Sequence, residues 1–180
     1  MKTQKILIIT MLLCLIGLAT ACENKTAKQD DDNGDGGNPQ SGSLFGTHWR
    51  LTAFVDVENN TRTEPDYSFF YIIGGDAGWK DSMYTLSFND SSVINDDRVD
   101  SLVTGFSTGN LIFGKYSADY NTGKFSYWKC GFGTQAGEFG CGFEYVAALR
   151  LVQSFNLYPQ ALHLFYNDGK KYLEFNRREQ

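Results

Sequence analysis

From Leu44 onward, apolar residues recur mostly with the period of two expected of strands, and short Gly- or Asn-rich breaks separate the runs. Trp49, Leu51 and Ala53 fall on one face of a first strand, Ser68 to Ile73 form a short apolar run closed by Gly74-Gly75, and Tyr84, Leu86 and Phe88 alternate up to the turn residues Asn89-Asp90. Between Ser91 and Gly105 the pattern supports one irregular strand near Leu102. Leu111 to Tyr120 and Lys124 to Lys129 flank Asn121-Thr122-Gly123, where glycine can take the positive φ of a tight connection, so this pair predicts a hairpin. Leu162 to Tyr166 and Lys171 to Phe175 predict a second hairpin around Asn167-Asp168-Gly169. One segment changes period. Tyr145, Ala148, Leu149, Val152 and Phe155 follow helical spacing, with Glu144 in the first turn, and predict an amphipathic helix over 143–155 packed on an otherwise antiparallel sheet.

Ahead of Leu44 the pattern is of another kind. Lys2 and Lys5 precede an apolar run from Ile6 to Leu18, followed by Ala19-Thr20-Ala21, which together predict a signal peptide over 1–21. The run is shorter than the roughly 18 apolar residues of a membrane span. Leu18 to Cys22 resembles a lipobox, with Ala19 where a large aliphatic residue is usual, and implies lipidation of Cys22; simple secretion is the alternative. From Glu23 to Ser43 there is no Leu, Ile, Val or aromatic residue, so 22–43 is expected to be the lipidated cysteine and a flexible acidic tether. Its cluster Asp30-Asp31-Asp32 resembles the export signal of some surface-exposed Gram-negative lipoproteins. The expected address is therefore the outer membrane, with one domain over 44–180.

Charge and cysteine count refine this picture. The chain holds 16 Lys+Arg and 21 Asp+Glu; loss of 1–21 removes Lys2 and Lys5 and no acid, which leaves 14 against 21, a net of -7. An acidic module of this kind excludes nucleic acid as a natural partner. Cys14 leaves with the leader, and Cys130 and Cys141 flank a Gly-rich loop that can bring two sulfurs together, so a structural disulfide is expected there, with two free thiols or a redox pair as alternatives. That pairing makes Cys22 the odd thiol, which lipidation accounts for.

Candidate chemistry is sparse. His48 and His163 fall on predicted strands beside large hydrophobic residues, without further ligands at zinc-like spacing, and are expected to be packed histidines. Asp31, Asn33, Asp35 and Gly36 open like a calcium loop, but the twelfth position is Gly42 and no flanking helix is expected, so neither metal nor cofactor is anticipated. Asp96, Asp97 and Asp100 could act as paired carboxylates or be a solvated loop, and no nucleophile elbow is present. Phe69, Phe70, Tyr71 and Trp79, with Tyr127 and Trp128, are the candidate stacking surface for a protein or glycan partner. Asp81-Ser82-Met83 and Asp100-Ser101-Leu102 resemble a short bacterial O-glycosylation motif.

Taken in order, Leu44 to Leu51 around Trp49, Tyr84 to Phe88, Asn110 with Gly114-Lys115-Tyr116, Gly123, Thr134, Cys141 with Glu144, and Leu162-His163-Leu164 resemble the META or HslJ-like domain. The chain departs from that pattern at Gly109, in the insert from Glu58 to Lys80, and in its extra Cys130. The resemblance implies an α+β fold, a curved antiparallel sheet forming a partial barrel around one helix in the C-terminal half, in a family of envelope-associated domains linked to stress tolerance. It brings no catalytic residues. The expectation is a monomeric, non-enzymatic envelope lipoprotein that binds a protein or glycan; a purely structural role and, third, a carboxylate hydrolase are the alternatives.

Overall fold

In the computed structural model, residues 42–68, 77–90, 101–133 and 137–179 are described, together with all their side chains except those of 77–79, 90 and 127. Nine strands are present among them: β1 (Thr47–Asp56), β2 (Thr61–Thr63), β3 (Thr85–Asp90), β4 (Ser101–Phe106), β5 (Leu111–Asp119), β6 (Lys124–Phe132), β7 (Ser154–Leu157), β8 (Ala161–Tyr166) and β9 (Lys171–Arg177). Two helices join them, α1 (Ala77–Ser82) and α2 (Gly142–Arg150). All strand pairings are antiparallel, in the order β2-β1-β3-β4-β5-β6-β7-β8-β9, and β1 also pairs with β9. The expected partial barrel is therefore a closed one of eight strands, with β2 as a short addition on the outer half of β1. Closure rests on the long β1–β9 register from Trp49↔Arg177 to Asp56↔Lys171, bent by a bulge between Leu51 and Ala53. That bulge supplies the coiling a closed sheet requires.

The predicted hairpins form as their turn residues dictate. Gly123 has φ 65° at the β5–β6 turn, and Asn167, Asp168 and Gly169 all have positive φ between β8 and β9. The predicted helix is real but ends at Arg150, and Phe155 lies instead on β7, whose burial alternates with period two. On α2, Tyr145, Ala148 and Leu149 are buried. Burial pushes the Tyr145 hydroxyl well above its ordinary range, so it stays protonated and donates to the Thr85 carbonyl at 3.3 Å.

Side chains fill the barrel interior. Trp49, Leu51, Leu86, Phe88, Ile112, Tyr145, Leu164 and Phe175 are each no more than 2% exposed, as expected for eight strands, whose interior is about wide enough for its own side chains. Trp128 belongs to this packing, which corrects its assignment to a binding surface. Its indole nitrogen donates to the Leu149 carbonyl at 2.6 Å, and its ring meets Phe125 at 4.7 Å and Phe88 at 6.3 Å. A register shift opposite Ser117 and Ala118 turns both Phe125 and Trp128 inward despite their spacing of three.

Cys130 is a free thiol, so the expected Cys130–Cys141 bridge is absent. The side chain points inward from the middle of the β5–β6 ladder, opposite Gly114. The loop that was to close the bridge is committed elsewhere: Glu138 and Phe139 are bonded to the β4–β5 turn. With Cys130 free, the count that made Cys22 the odd thiol no longer holds, and lipidation rests on the leader and the lipobox-like stretch.

Candidate functional site

Register and alternation together determine what the outer wall presents. On β1, β3, β4 and β5 the inward positions are Trp49, Leu86, Val103 and Ile112, so their neighbours face out. Cross-strand pairing then lines up one outward row, His48, Ser87, Thr104, Phe113 and Gly131, and beside it a second, Arg50, Thr85, Phe106 and Leu111. His48, Ser87 and Thr104 of the first row and Thr85, Phe106 and Leu111 of the second line a groove of about 470 Å³, together with Arg178 and Glu179.

One wall is apolar. Phe106 and Leu111, 44% and 41% exposed, are direct cross-strand partners, and Phe113, 49% exposed, lies on the same outer face beyond the groove lining. Phe113 lies over glycine backbone: a Cβ at Gly131 would stand 3.1 Å from its ring, and one at Gly133 3.2 Å. Glycine at these positions leaves room for the ring. The floor is made of hydroxyl-bearing residues, Ser82, Thr85, Ser87 and Thr104, with Gly105. A Cβ at Gly105 would fall 2.0 Å from the Thr85 carbonyl oxygen, so only glycine permits β3 and β4 to approach this closely.

The opposite wall is polar and fixed from behind. His48 Nδ1 lies 2.7 Å from Ser87 Oγ, a hydrogen bond between register partners, and the Arg178 amide donates to the His48 carbonyl at 2.8 Å. Arg178 Nη1 donates to the Asp81 carbonyl at 2.9 Å, and Arg50 forms an ion pair with the Asp81 carboxylate at 3.5 Å. Thr85 Oγ1 donates to the Ser82 carbonyl at 2.7 Å, and Asn89 Nδ2 donates to Thr104 Oγ1 at 3.3 Å. Arg178 and Glu179 bring opposite charges to the same wall.

The β4–β5 turn is held by a carboxylate clasp. The β4–β5 turn, Ser107-Thr108-Gly109-Asn110, surrounds Glu138, whose carboxylate accepts from Ser107 Oγ at 2.6 Å, Thr108 Oγ1 at 2.7 Å, the Thr108 and Gly109 amides at 3.2 Å each, and Asn110 Nδ2 at 2.5 Å. Burial opposes the charge, but these donors together outweigh it and hold the Glu138 carboxyl below the ordinary glutamate value. Gly142, the first residue of α2, makes room: a Cβ there would meet Thr108 Oγ1 at 2.2 Å and Glu138 Oε2 at 2.5 Å. The clasp ties the turn beside the groove to the start of α2.

Of the aromatic surface expected from sequence, Phe69, Phe70 and Tyr71 lie outside the described residues, as do Asp96, Asp97, Asp100, Cys22 and the tether as far as residue 41. Trp79 is on α1 and Tyr127 on β6, with side chains not described, and Trp128 is partly buried, packed against the barrel core. The two histidines lie in separate settings. His163 is stacked on Tyr172 at 4.6 Å, and burial lowers its pKa. His48 lines the groove, a place sequence reasoning did not give it. The signal for the groove was present in Leu111-Ile112-Phe113, a run apolar on both faces of its strand where one face should be polar.

No family model matches this chain, and no curated protein matches it. Among solved structures it is similar to an NMR structure of a protein from Burkholderia xenovorans, with a TM-score of 0.53 at 22% identity, over 76% of this chain and 85% of that one. It also aligns with a DUF4847 family protein from Bacteroides vulgatus at 16% identity and a TM-score of 0.46, over 74% of this chain and 94% of that one. The first likeness is one of fold.

Proposed function

We propose that this chain is an exported envelope lipoprotein, anchored through Cys22 to the outer membrane, whose barrel is a monomeric, non-enzymatic binding module for a protein or glycan in envelope stress tolerance. The leader over 1–21, the lipobox-like stretch and the acidic tether support the address. The ordered series of motifs from Trp49 to Leu164 supports a place beside META or HslJ-like domains, and the β-rich fold is compatible with it. Among the described residues no helix is long and apolar enough to cross a membrane.

The observation that carries the binding reading is the exposed pair Phe106 and Leu111, with exposed Phe113 nearby on the same face, beside a hydroxyl-bearing floor. Clustered apolar side chains at the rim of a polar groove mark a contact surface, because leaving them in water is unfavourable. The barrel interior is occupied by buried side chains such as Trp49, Phe88 and Tyr145. A non-enzymatic reading suits the same groove: Ser87 sits in a strand whose amides serve the ladders to β1 and β4, and an acyl-transfer site needs amides turned toward an oxyanion.

The test compares what the immobilised mature chain and its Phe106→Ala/Leu111→Ala variant retain from solubilised envelope. The reading predicts components held by the parent and lost by the variant at unchanged thermal stability. Identical retention by both refutes it.

A further inference from the structure

We infer that the groove on the outer wall takes a neutral sugar of about disaccharide size, an inference that rests on the binding reading above and names its ligand class. Three features of the groove select this chemistry.

The first is the state of the main chain. The floor is formed by β1, β3 and β4, whose backbone groups are spent on pairing from Thr47↔Phe88 to Arg50↔Thr85 and from Thr85↔Phe106 to Asp90↔Ser101. An extended peptide is recognised mainly through backbone hydrogen bonds to an open strand edge. Here the barrel runs through the site without an edge, so recognition must come from side chains.

The second is the division between walls. Phe106 and Leu111 offer an exposed apolar surface, whereas Ser87 and Thr104 on the floor and His48, Arg178 and Glu179 beyond them offer hydrogen-bonding groups. A pyranose ring has the matching division: a face of C–H groups that packs on an aromatic ring, and an edge of hydroxyls that both donate and accept. The Arg178 guanidinium can only donate and the Glu179 carboxylate can accept, so the groove can meet both roles of a sugar hydroxyl.

The third is charge. Arg178 and Glu179 offset one another, Arg178 is drawn to the Asp81 carbonyl, and Arg50 is paired with the Asp81 carboxylate. The mature chain is acidic overall. Nothing in this balance favours an anionic ligand over a neutral one. The volume, about 470 Å³, falls at the small end of ligand pockets and suits one or two sugar rings.

The experiment is an amide NMR titration of the mature chain, released from its anchor by Cys22→Ala. The probes are maltose, cellobiose, lactose and N,N′-diacetylchitobiose, with glucuronate and a capped tetrapeptide as comparators. The inference predicts that at least one neutral disaccharide shifts the amides of Ser87, Thr104 and Phe106, that glucuronate and the peptide do not, and that Phe106→Ala weakens the sugar about tenfold, the loss of one stacking contact. Thr104→Val, which keeps the strand and removes one hydroxyl, should weaken it severalfold. Shifts at these amides from the peptide or glucuronate alone would overturn the sugar and leave the groove as a binding site. An absence of shifts from every probe, or sugar shifts that both variants leave intact, also overturns the inference. Failure of the binding reading itself is separate: it shows as unchanged envelope retention in the Phe106→Ala/Leu111→Ala variant.

Discussion

Glu138 is one carboxylate that ties its own loop to the β4–β5 turn, and its removal has a calculable consequence. In Glu138→Ala, the hydroxyls of Ser107 and Thr108, the amides of Thr108 and Gly109, and Asn110 Nδ2 lose their shared acceptor. A hydrogen bond to a charged group contributes about 1.5–3 kcal/mol net, and a donor left buried without a partner costs about 1–3 kcal/mol. The site is only partly buried, so water replaces some of these contacts and the hydroxyls can rotate; the expected loss is about 3 kcal/mol. For a domain of this size that is a fall in Tm of roughly 10 °C. Calorimetry at pH 7 checks it, and a change under about 2 °C refutes the clasp. The pH dependence has a fixed sign. Because the folded carboxyl titrates below its ordinary value, its contribution is complete above the unfolded pKa and is lost as pH falls through the folded one. The gap between the parent and Glu138→Gln should therefore be full at pH 7 and shrink on acidification below about 4.5. A gap unchanged down to pH 3 contradicts the charge-based account. Gly142→Ala should also destabilise, and less so in a Glu138→Ala background, because part of the clash is with Glu138 itself.

Other consequences are simpler to read. Cys130 is held inward and burial pushes its thiol up to about 12, so mass spectrometry should find it unlabelled by iodoacetamide at pH 8 in the native chain and fully labelled in denaturant. Prompt native labelling contradicts its inward placement. Gly105→Ala should cost about 3 kcal/mol or prevent folding, since the added carbon meets the Thr85 carbonyl; a urea midpoint matching the parent would remove that close approach. Cys22→Ala should abolish labelling by a fatty-acid analogue and move the protein out of the membrane fraction, whereas retention in the membrane fraction argues against the lipid anchor.

The features legible in sequence are those with local causes. Asn167-Asp168-Gly169 and Gly123 carry their turn conformations in their own residue types, and Tyr145, Ala148 and Leu149 carry a helical stripe. The end of that helix was not legible, because Phe155 satisfies both the helical spacing from Tyr145 and the alternation of β7. Closure of the barrel depends on β1 finding β9 across more than a hundred residues, a pairing that no local pattern announces. Trp128 was misplaced because a register shift in the β5–β6 ladder reverses the alternation on which a surface assignment depends. The groove is assembled from outward positions on β1, β3, β4 and β5 with Arg178, each ordinary alone. The clasp was missed for a related reason: Glu138 reads as one acid in a Gly-rich loop, and only the fold brings it to the turn at Ser107.

The central claim is that this outer wall, and not the filled interior, meets the partner. Photo-crosslinking in living cells tests it most directly, with a benzophenone side chain placed at Phe106 or, as a control, at the exposed Ser126 of β6. The account predicts a discrete adduct from position 106 that is absent from position 126. Adducts from 126 alone, or from neither position, contradict it.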